Sequence, residues 1–385
     1  MFTKAWNNPL IKIALMFATW RIATFLFAAI SVGLVPLRSH DFLGGTYDHY
    51  SQNPLFWGWG NFDGEHYLSI VQKGYGQLQQ AFFPGFPLLI RYTTSLFGLA
   101  SENILTVGLL ISNLSFLSAL FLLRKIILLD YSSKVAHYAL LSAIVFPTSF
   151  YFGSFYTEST FLLLLLTSVY CIRQKKWLLA GIFGGIASSF RLVGIFLLPM
   201  AIVEFYLMRK EQKKAQLSSL LAFFLFPSGL AAYMIYLQLS QGDPLMFYSL
   251  QTIVGEHRET QIITLPQVFW RYLKMLGSFR FDPTYFSIGM ELLSAVFGVL
   301  LLIIGYIRKI RTSYLVFGFL GLMLPTFTGS FSSLPRYILV LFPFYVIIGE
   351  YASSRGLLFK YIYYCISLLL LFVETMLFFR GYWVA

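Results

Sequence analysis

The chain has 385 residues, of which 58% are hydrophobic and only 11% are charged, and its mean hydropathy is +0.71. A soluble domain has about a quarter of its residues charged, so this composition excludes an ordinary water-soluble fold and predicts a polytopic integral membrane protein. The net charge of +12 does not indicate nucleic acid, because the basic residues lie in short connections between apolar runs. Both cysteines, Cys171 and Cys365, lie in or beside apolar runs, which excludes a disulfide framework and a cysteine-based zinc site.

Apolar runs long enough to cross a bilayer as helices recur along the chain. They predict an all-α membrane bundle of about 11 spans that forms one domain over residues 1–385. The first run lacks a small-residue cleavage site, so we expect it to be a retained span. Residues 177–208 are too long for one span and short for two, which leaves two passes or a re-entrant pair open. The predicted spans are 10–36, 102–123, 135–151, 155–171, 177–189, 192–208, 216–239, 285–307, 313–328, 336–352 and 357–378.

The distribution of basic residues predicts the orientation of these spans. Short cytoplasmic loops are rich in Lys and Arg, and with the N-terminus in the cytoplasm every basic cluster falls on that side. Two long loops, 37–101 and 241–284, and the C-terminus at 380–385 are then extracytoplasmic. The membrane would be the plasma membrane in a prokaryote and the endoplasmic reticulum membrane in a eukaryote. The clusters are Lys4 and Lys12; Arg124, Lys125 and Lys134; Arg173, Lys175 and Lys176; Arg209, Lys210, Lys213 and Lys214; Arg308, Lys309 and Arg311; Arg355 and Lys360.

The first long loop holds the densest set of chemically active side chains, within residues 57–76. Read as a helix that begins at Asp63, this segment places Asp63, His66, Tyr67 and Ile70 on one face and Glu65 elsewhere. Flanking aromatic residues suit a helix at the level of the lipid headgroups. The alternative is that Asp63 only caps the helix, with His66 and Tyr67 as anchors.

Two further segments are candidates for the same side of the membrane. Residues 81–87 contain two prolines three positions apart, which argues against a regular helix there. They would form either a bent entry into the membrane or a wall beside a site. Tyr156 and Glu158 occupy an outer turn, where Glu158 would either contact a substrate or favour the start of the next helix.

Two arginines lie on the side where the topology rule expects few cations. Arg191 and Arg336 would be costly at or below the membrane surface unless they are paired. The guanidinium group suits bidentate binding of phosphate, although a salt bridge or a snorkelling side chain remains an alternative.

The second long loop contains less specific signals. Asp243 lies in a Gly-Asp-Pro sequence typical of a turn. The residues from 256 to 259, Glu-His-Arg-Glu, are too close together to favour a metal site over a solvated loop.

Six segments, in order between residues 61 and 337, resemble motifs of the PIG-V-like mannosyltransferases. They resemble W-D-x-x-H-[FY], F-F-P-x-x-P, Y-[ST]-E, R-x-x-G, G-D-P and P-R-Y, with Phe62 in place of the usual Trp. In this sequence they are Asn61-Phe62-Asp63-Gly64-Glu65-His66-Tyr67, Phe83-Pro84 with Pro87, Tyr156-Thr157-Glu158, Arg191 with Gly194, Gly242-Asp243-Pro244, and Leu334-Pro335-Arg336-Tyr337.

The resemblance implies a GT-C glycosyltransferase fold and an inverting transfer of a sugar, most simply mannose, from a polyprenyl-phosphate carrier to an acceptor hydroxyl. It implies that Asp63 is the general base and that Arg336, Arg191 and His66 bind the donor phosphate, with His66 alternatively orienting Asp63. It requires no cofactor and does not exclude a divalent metal. The residues expected to contact substrate are Glu65, Tyr67, Tyr156, Glu158, Asp243 and Tyr337.

Other functions remain open at this level. A related enzyme would transfer another sugar, such as glucose or aminoarabinose. A transporter or lipid flippase would place ionisable residues at mid-bilayer on broken helices, and a non-catalytic scaffold would tolerate replacement of Asp63. The acceptor would be a glycolipid, a cell-wall glycan or a protein hydroxyl, and nucleic acid is not expected as a partner.

Overall fold

The computed structural model describes residues 8–211, 217–254, 258–259, 261–278 and 283–384. Helices and the turns between them account for these residues, and none of the part described is a β-strand. The prediction of an all-α protein is therefore confirmed. Lys4, Lys213, Lys214, Glu256 and His257 lie outside the described residues, as do the first residue of the predicted span 216–239 and part of the second long loop.

The helices follow one another with short connections. In the described part of the chain, 3₁₀ segments interrupt them at Gly58–Gly60, Gln79–Ala81, Ser101–Asn103, Ser149–Gly153 and Leu192–Phe196. The α-helices are α1 Pro9–Leu34, α2 Thr46–Gln52, α3 Pro54–Trp57, α4 Asp63–Lys73, α5 Gly85–Leu96, α6 Ile104–Ile127, α7 Ser133–Ile144, α8 Glu158–Arg173, α9 Trp177–Ser188, α10 Leu197–Glu211, α11 Leu217–Leu225, α12 Ser228–Gln241, α13 Met246–Ser249, α14 Gln251–Val254, α15 Leu265–Gly277, α16 Pro283–Ile307, α17 Thr312–Thr326, α18 Leu334–Leu339, α19 Phe342–Ser354 and α20 Leu357–Phe379.

Six helical stretches of the described chain are long and apolar enough to cross a membrane. The protein is thus a multi-pass membrane protein, but the predicted count of 11 spans is not confirmed. Helices of 12 residues such as α7 and α9 rise only about 18 Å, less than the roughly 30 Å of a bilayer core. The six stretches are Pro9–Leu34, Ser101–Ile127, Leu192–Arg209, Leu220–Gln241, Tyr285–Ile307 and Leu357–Phe379.

Several predicted spans are broken where the sequence interrupts helical geometry. The predicted span 135–151 ends as an α-helix at Ile144 and continues, after Pro147, as the 3₁₀ segment Ser149–Gly153. The predicted span 216–239 is divided at Pro227. Proline removes a backbone donor and clashes with the preceding turn, so apolar composition alone overestimates helix length. The predicted break within 177–208 is confirmed, because Arg191 has extended backbone angles between α9 and the next 3₁₀ turn.

The chain divides into two compact units. Unit 1 comprises Met1–Gln72, Ile90–Leu163 and Tyr345–Val384. Its core is rich in aromatic rings: Phe116 stacks on Phe152 with ring centroids 4.2 Å apart, and the edge of Trp20 meets Phe116 at 4.9 Å. The indole of Trp20 also donates to the Ser149 hydroxyl at 3.1 Å, so its polar atom is satisfied inside the apolar core.

Unit 2 comprises Lys73–Leu89 and Leu164–Phe344, together with Ala385. A buried ion cluster connects three of its helices: Glu204 of α10 accepts two hydrogen bonds from Arg311 Nε and one from Arg311 Nη2. Ser313 donates to the same carboxylate at 2.6 Å, and Arg173 Nε lies 3.5 Å from it. Removing one partner of a buried pair leaves an uncompensated charge, which typically costs about 3–5 kcal/mol. This cluster therefore joins the end of α8 and the start of α17 to the middle of α10.

Candidate active site

The helix that carries the candidate base begins at Asp63, as the sequence predicts. The residue before it, Phe62, has a left-handed backbone (φ 55°), which is unfavourable for a bulky residue. Its amide donates to the Phe42 carbonyl at 2.7 Å, and its ring packs against Phe378 and Trp383 with centroids 5.6 and 5.3 Å away. Tertiary contacts thus hold the strained turn that directs the chain into α4.

Asn61 ties this turn to the rest of unit 1. Its fully buried side chain accepts from the Gly44 amide at 2.9 Å and donates to the Phe378 carbonyl at 3.0 Å. Its backbone carbonyl accepts from the Tyr156 hydroxyl at 2.6 Å. One residue therefore joins four segments of the chain. Asn61 belongs to the first motif, but no local sequence pattern reveals these partners or predicts a role for it.

The end of α4 is held by an arginine. Arg91 Nε donates to the Val71 carbonyl at 2.8 Å, and its Nη2 donates to the Ile70 carbonyl at 2.9 Å. The last carbonyls of a helix lack intrahelical donors and carry partial negative charge, so a cation there satisfies both needs. The first turn and the last turn of α4 are thus both fixed.

The ionisable groups at the start of α4 differ in protonation tendency. Asp63, Glu65 and His66 are half-buried. Burial lowers the pKa of His66, and the nearby Asp63 acts in the opposite direction. Burial, together with the negative charge of Asp41, raises the pKa of Glu65. His66 is therefore mainly neutral at pH 7, which suits a hydrogen-bonding partner better than a permanent cation for phosphate.

Two predicted substrate contacts lie below this surface. Tyr156 is completely buried, its hydroxyl is occupied by the Asn61 carbonyl, and its ring meets that of Tyr67 at 6.3 Å. Tyr67 is 5% exposed. The predicted stripe of α4 is thus split, because Asp63 and His66 remain partly accessible while Tyr67 enters the core. The structure gives both tyrosines a supporting position, and substrate contact by them remains a prediction.

Glu158 is the first residue of α8, as predicted, and is completely buried. The Thr157 hydroxyl donates to its Oε2 at 3.4 Å. A carboxylate at this end of a helix is favourable because the free amides of the first turn carry partial positive charge. Glu158 thus fits the structural alternative, and its contact with a substrate is untested.

In unit 2, the structure brings together two arginine motifs that are distant in sequence. The guanidinium carbon of Arg191 lies 5.4 Å from the centre of the Tyr337 ring, a cation–π geometry. Arg336, the preceding residue, is 5% exposed on α18. Gly194 is required close by, because a Cβ there would lie 2.7 Å from the backbone of Ser188. The two candidate phosphate-binding arginines are therefore carried by segments that touch through Tyr337.

The proline-rich segment also packs in unit 2. The Gly85 amide donates to the Ser189 carbonyl at 2.8 Å, and a Cβ on Gly85 would lie 2.2 Å from the Phe190 ring. The prediction that residues 81–87 exclude a regular helix is wrong in part, because α5 begins at Gly85. Pro87 is tolerated since the first four amides of a helix have no intrahelical acceptor.

Asp243 serves a turn at the end of α12. Gly242 adopts a left-handed conformation (φ 76°) that ends the helix, and Asp243 Oδ1 accepts from the Leu245 amide at 2.8 Å. Its other oxygen lies 3.5 Å from the Ser249 hydroxyl. The interpretation of Gly-Asp-Pro as turn chemistry is confirmed, and the substrate contact predicted for Asp243 remains untested.

One cation inside the first span was missed by the sequence analysis. The guanidinium carbon of Arg21 lies 3.9 Å from the centre of the Trp59 ring, just before the Asp63 turn. A lone arginine within an apolar run was the available signal, because such a charge is costly unless a partner stabilises it. As for metals, within the described ranges no three His, Cys, Asp or Glu side chains form a group that could hold an ion. Metal dependence remains untested.

Comparison with known proteins shows first a shared fold and then a family. The fold matches a crystal structure of ArnT from Cupriavidus metallidurans bound to undecaprenyl phosphate, with a TM-score of 0.52 and 12% identity. The match covers 93% of this chain and 63% of ArnT, and it shows that the two proteins share a fold.

The particular family follows from sequence. The profile of the family described as mannosyltransferase (PIG-V) matches residues 10–273, and this chain belongs to that family. GPI alpha-1,6-mannosyltransferase 2 of Rattus norvegicus is 28% identical over 204 residues, which are 49% of this chain and 41% of the rat protein. The chain therefore matches less than half the length of that curated relative.

Proposed function

We propose that this protein is an inverting glycosyltransferase that moves a sugar, most simply mannose, from a polyprenyl-phosphate carrier to an acceptor hydroxyl at the extracytoplasmic membrane face. The observation that carries the proposal is membership of the mannosyltransferase (PIG-V) family, whose matched region includes Asp63, Arg191 and Asp243. The undecaprenyl phosphate named with ArnT supports a polyprenyl carrier. Arg336 lies beyond the matched region and is assigned from its motif and burial.

In the proposed reaction Asp63 is the general base. Its carboxylate takes the proton of the acceptor hydroxyl while the acceptor oxygen forms a bond to the anomeric carbon. The bond from that carbon to the phosphate oxygen breaks on the opposite face, which inverts the configuration, and the electron pair leaves with the polyprenyl phosphate. A base placed to take the proton in the transition state typically contributes about 10²–10⁴ in rate.

Arg336 and Arg191 are assigned to the phosphate of the donor. The negative charge on the departing phosphate increases as the glycosidic bond breaks, so cations fixed beforehand stabilise the transition state more than the ground state. His66 is assigned to the orientation of Asp63, because its neutral form can donate one hydrogen bond. Glu65 and Tyr337 remain candidates for contact with sugar hydroxyls.

The test is transfer by the purified full-length protein in lipid bilayers. Mannose, glucose and aminoarabinose are presented as polyprenyl-phosphate sugars, and mannose is also presented as a sugar nucleotide, each with a panel of glycolipid, glycan and peptide acceptors. We expect transfer from polyprenyl-phosphate mannose and inversion at the anomeric carbon. Transfer from the sugar nucleotide alone, or retention of configuration, would contradict the proposal.

Asp63→Asn provides the decisive variant, because it keeps the shape of the side chain and removes its basicity. We expect turnover to fall by about 10²–10⁴ with donor binding retained. Asp48→Asn is the matched control, since Asp48 is an exposed acid on α2 of the same loop and should leave turnover unchanged. Full turnover in Asp63→Asn would exclude this residue as the base.

A further inference from the structure

A cavity of about 240 Å³ lies within unit 2, in the second long loop region. It is lined by two arginines, Arg258 and Arg271, and its other polar groups include Glu259, Tyr272 and Ser330. From sequence, Arg258 and Glu259 are expected in a solvated loop, and no motif includes Arg271. A water molecule occupies about 30 Å³ in the liquid, so the cavity holds several waters or a small polar group.

The two guanidinium groups are fixed in different ways. Arg258 Nη2 donates to the Ser332 carbonyl at 3.1 Å and Nη1 donates to the Gln251 side chain. Its Nε is buried and has no hydrogen-bond acceptor among the described residues. Arg271 Nη1 donates to Glu259 Oε1 at 2.6 Å and lies 3.4 Å from the Gly329 carbonyl. A buried donor without an acceptor is costly.

The remaining groups of the lining cancel only one of the two positive charges. Glu259 is the carboxylate in the lining, and its side chain is 44% exposed, so it can turn towards water. Burial, with Glu291 beside it, raises the pKa of the Tyr272 phenol. The Tyr272 hydroxyl thus stays protonated and donates a hydrogen bond to Glu291 Oε2 at 2.5 Å. The lining therefore keeps one net positive charge.

The helix on which Arg271 lies also indicates where the ligand comes from. One face of α15 is buried through Val268 and Tyr272. Trp270, in contrast, is 58% exposed, and the ammonium group of Lys274 lies 5.2 Å from the centre of its ring. Exposed Trp and Lys on an amphipathic helix favour the headgroup level of a membrane. Anions at that level are mainly the phosphate esters of lipids.

We propose that this cavity is a binding site for the phosphoryl group of a lipid phosphate ester, held by Arg258 and Arg271. Bidentate guanidinium contacts match the geometry of phosphate oxygens. Without a ligand, the Glu259 carboxylate forms an ion pair with Arg271. This ion pair has to break when phosphate enters the cavity. The phosphoryl group comes either from the polyprenyl-phosphate donor or from a phospholipid-anchored acceptor, and this choice of sources rests on the proposed transferase function. Binding of phosphate at this cavity does not rest on it.

Binding is measured on the full-length protein in bilayers of zwitterionic lipid, without turnover, so that failure of the transferase proposal leaves the result interpretable. The probes are inorganic phosphate, a polyprenyl phosphate without sugar, and an anionic phospholipid. Arg258→Gln and Arg271→Gln should each raise the dissociation constant about tenfold or more, as expected for loss of a charge-assisted hydrogen bond. Lys176→Gln, an exposed cation of unit 2 in a predicted cytoplasmic cluster, should leave it unchanged.

Glu259→Gln makes the test specific. It removes the competing carboxylate, so we expect tighter phosphate binding, the opposite sign to the arginine variants. If the Glu259–Arg271 pair is purely structural, Glu259→Gln and Arg271→Gln should both weaken phosphate binding. Unchanged affinity in both arginine variants, or weaker binding in Glu259→Gln, would overturn the proposal.

The three probes separate the sources. Arginine-dependent binding of polyprenyl phosphate supports a donor site, whereas arginine-dependent binding of the phospholipid alone supports a phosphate-bearing acceptor. Arginine-dependent binding of inorganic phosphate with neither lipid would overturn the lipid assignment.

Discussion

The two compact units carry different chemistry. The candidate groups of unit 1 are mainly acids with one imidazole: Asp63, Glu65 and Glu158 with His66. Those of unit 2 are mainly guanidinium groups: Arg191, Arg336, Arg258 and Arg271. Removal of a proton needs a base such as a carboxylate, while stabilisation of phosphate needs fixed positive charge. In the proposed reaction, acceptor activation therefore falls to unit 1 and anion binding to unit 2.

The units also hold their candidate segments by different means. In unit 1, the turn before Asp63 is fixed by side chains that bond to backbone atoms, through Asn61 and Tyr156. In unit 2, the segment around Arg191 is fixed by close approach of small residues, since a Cβ at Gly85 or Gly194 would overlap its neighbours. Substitutions should therefore act on unit 1 by removing hydrogen bonds and on unit 2 by adding volume.

The largest expected effect that tests this comparison is at Arg336. Arg336→Lys keeps the charge but loses the fork of donors, and we expect donor affinity to fall about tenfold or more because phosphate binding by arginine is bidentate. Acceptor affinity should change much less. The measurement is the dissociation constant for polyprenyl phosphate and the KM for the acceptor.

Arg38→Lys is the control for that change, because Arg38 is a cation of unit 1 outside the candidate segments. Arg191→Lys tests the partner arginine, which contacts Tyr337. Equal loss of donor and acceptor affinity in Arg336→Lys would contradict the assignment of unit 2 to the phosphate.

A smaller effect is expected at Tyr156. Tyr156→Phe removes the hydrogen bond to the Asn61 carbonyl, which still accepts from the Gly64 amide at 3.2 Å. The loss of one hydrogen bond typically costs about 0.5–1.5 kcal/mol of unfolding free energy. We expect a lower melting temperature and a reduced kcat, with the KM for the donor unchanged. If Tyr156 instead binds substrate directly, the KM will rise while the melting temperature stays the same.

The smallest effect concerns pH. The pKa of His66 is lower in the folded protein than the usual value of about 6.5. The unfolded chain therefore binds more protons in this window, so stability is full above about pH 6.5 and falls as the pH decreases through the lowered pKa. His66→Gln should reduce this acid dependence of the melting temperature. An unchanged acid profile would show that other groups dominate.

Much of the fold class and the local structure could be predicted from sequence. The membrane class follows from composition, the start of α4 at Asp63 from its helical periodicity, and the interruption at Arg191 from the lengths on either side of it. The six motif segments were also found, and the family they resemble is confirmed. Helix lengths were overestimated where proline or a 3₁₀ turn interrupts an apolar run.

The sequence by itself determined the properties that depend on neighbouring residues. These are hydropathy, charge placement, helix starts and turns such as that at Asp243. Only the tertiary structure decided that Asn61 joins four segments, that Arg191 meets Tyr337, and that Arg258 and Arg271 line one cavity. These contacts join residues far apart along the chain, and they depend on which helices pack together and in what register. Periodicity determines which face of a helix is apolar, but the choice of its partner is made by packing across the whole unit.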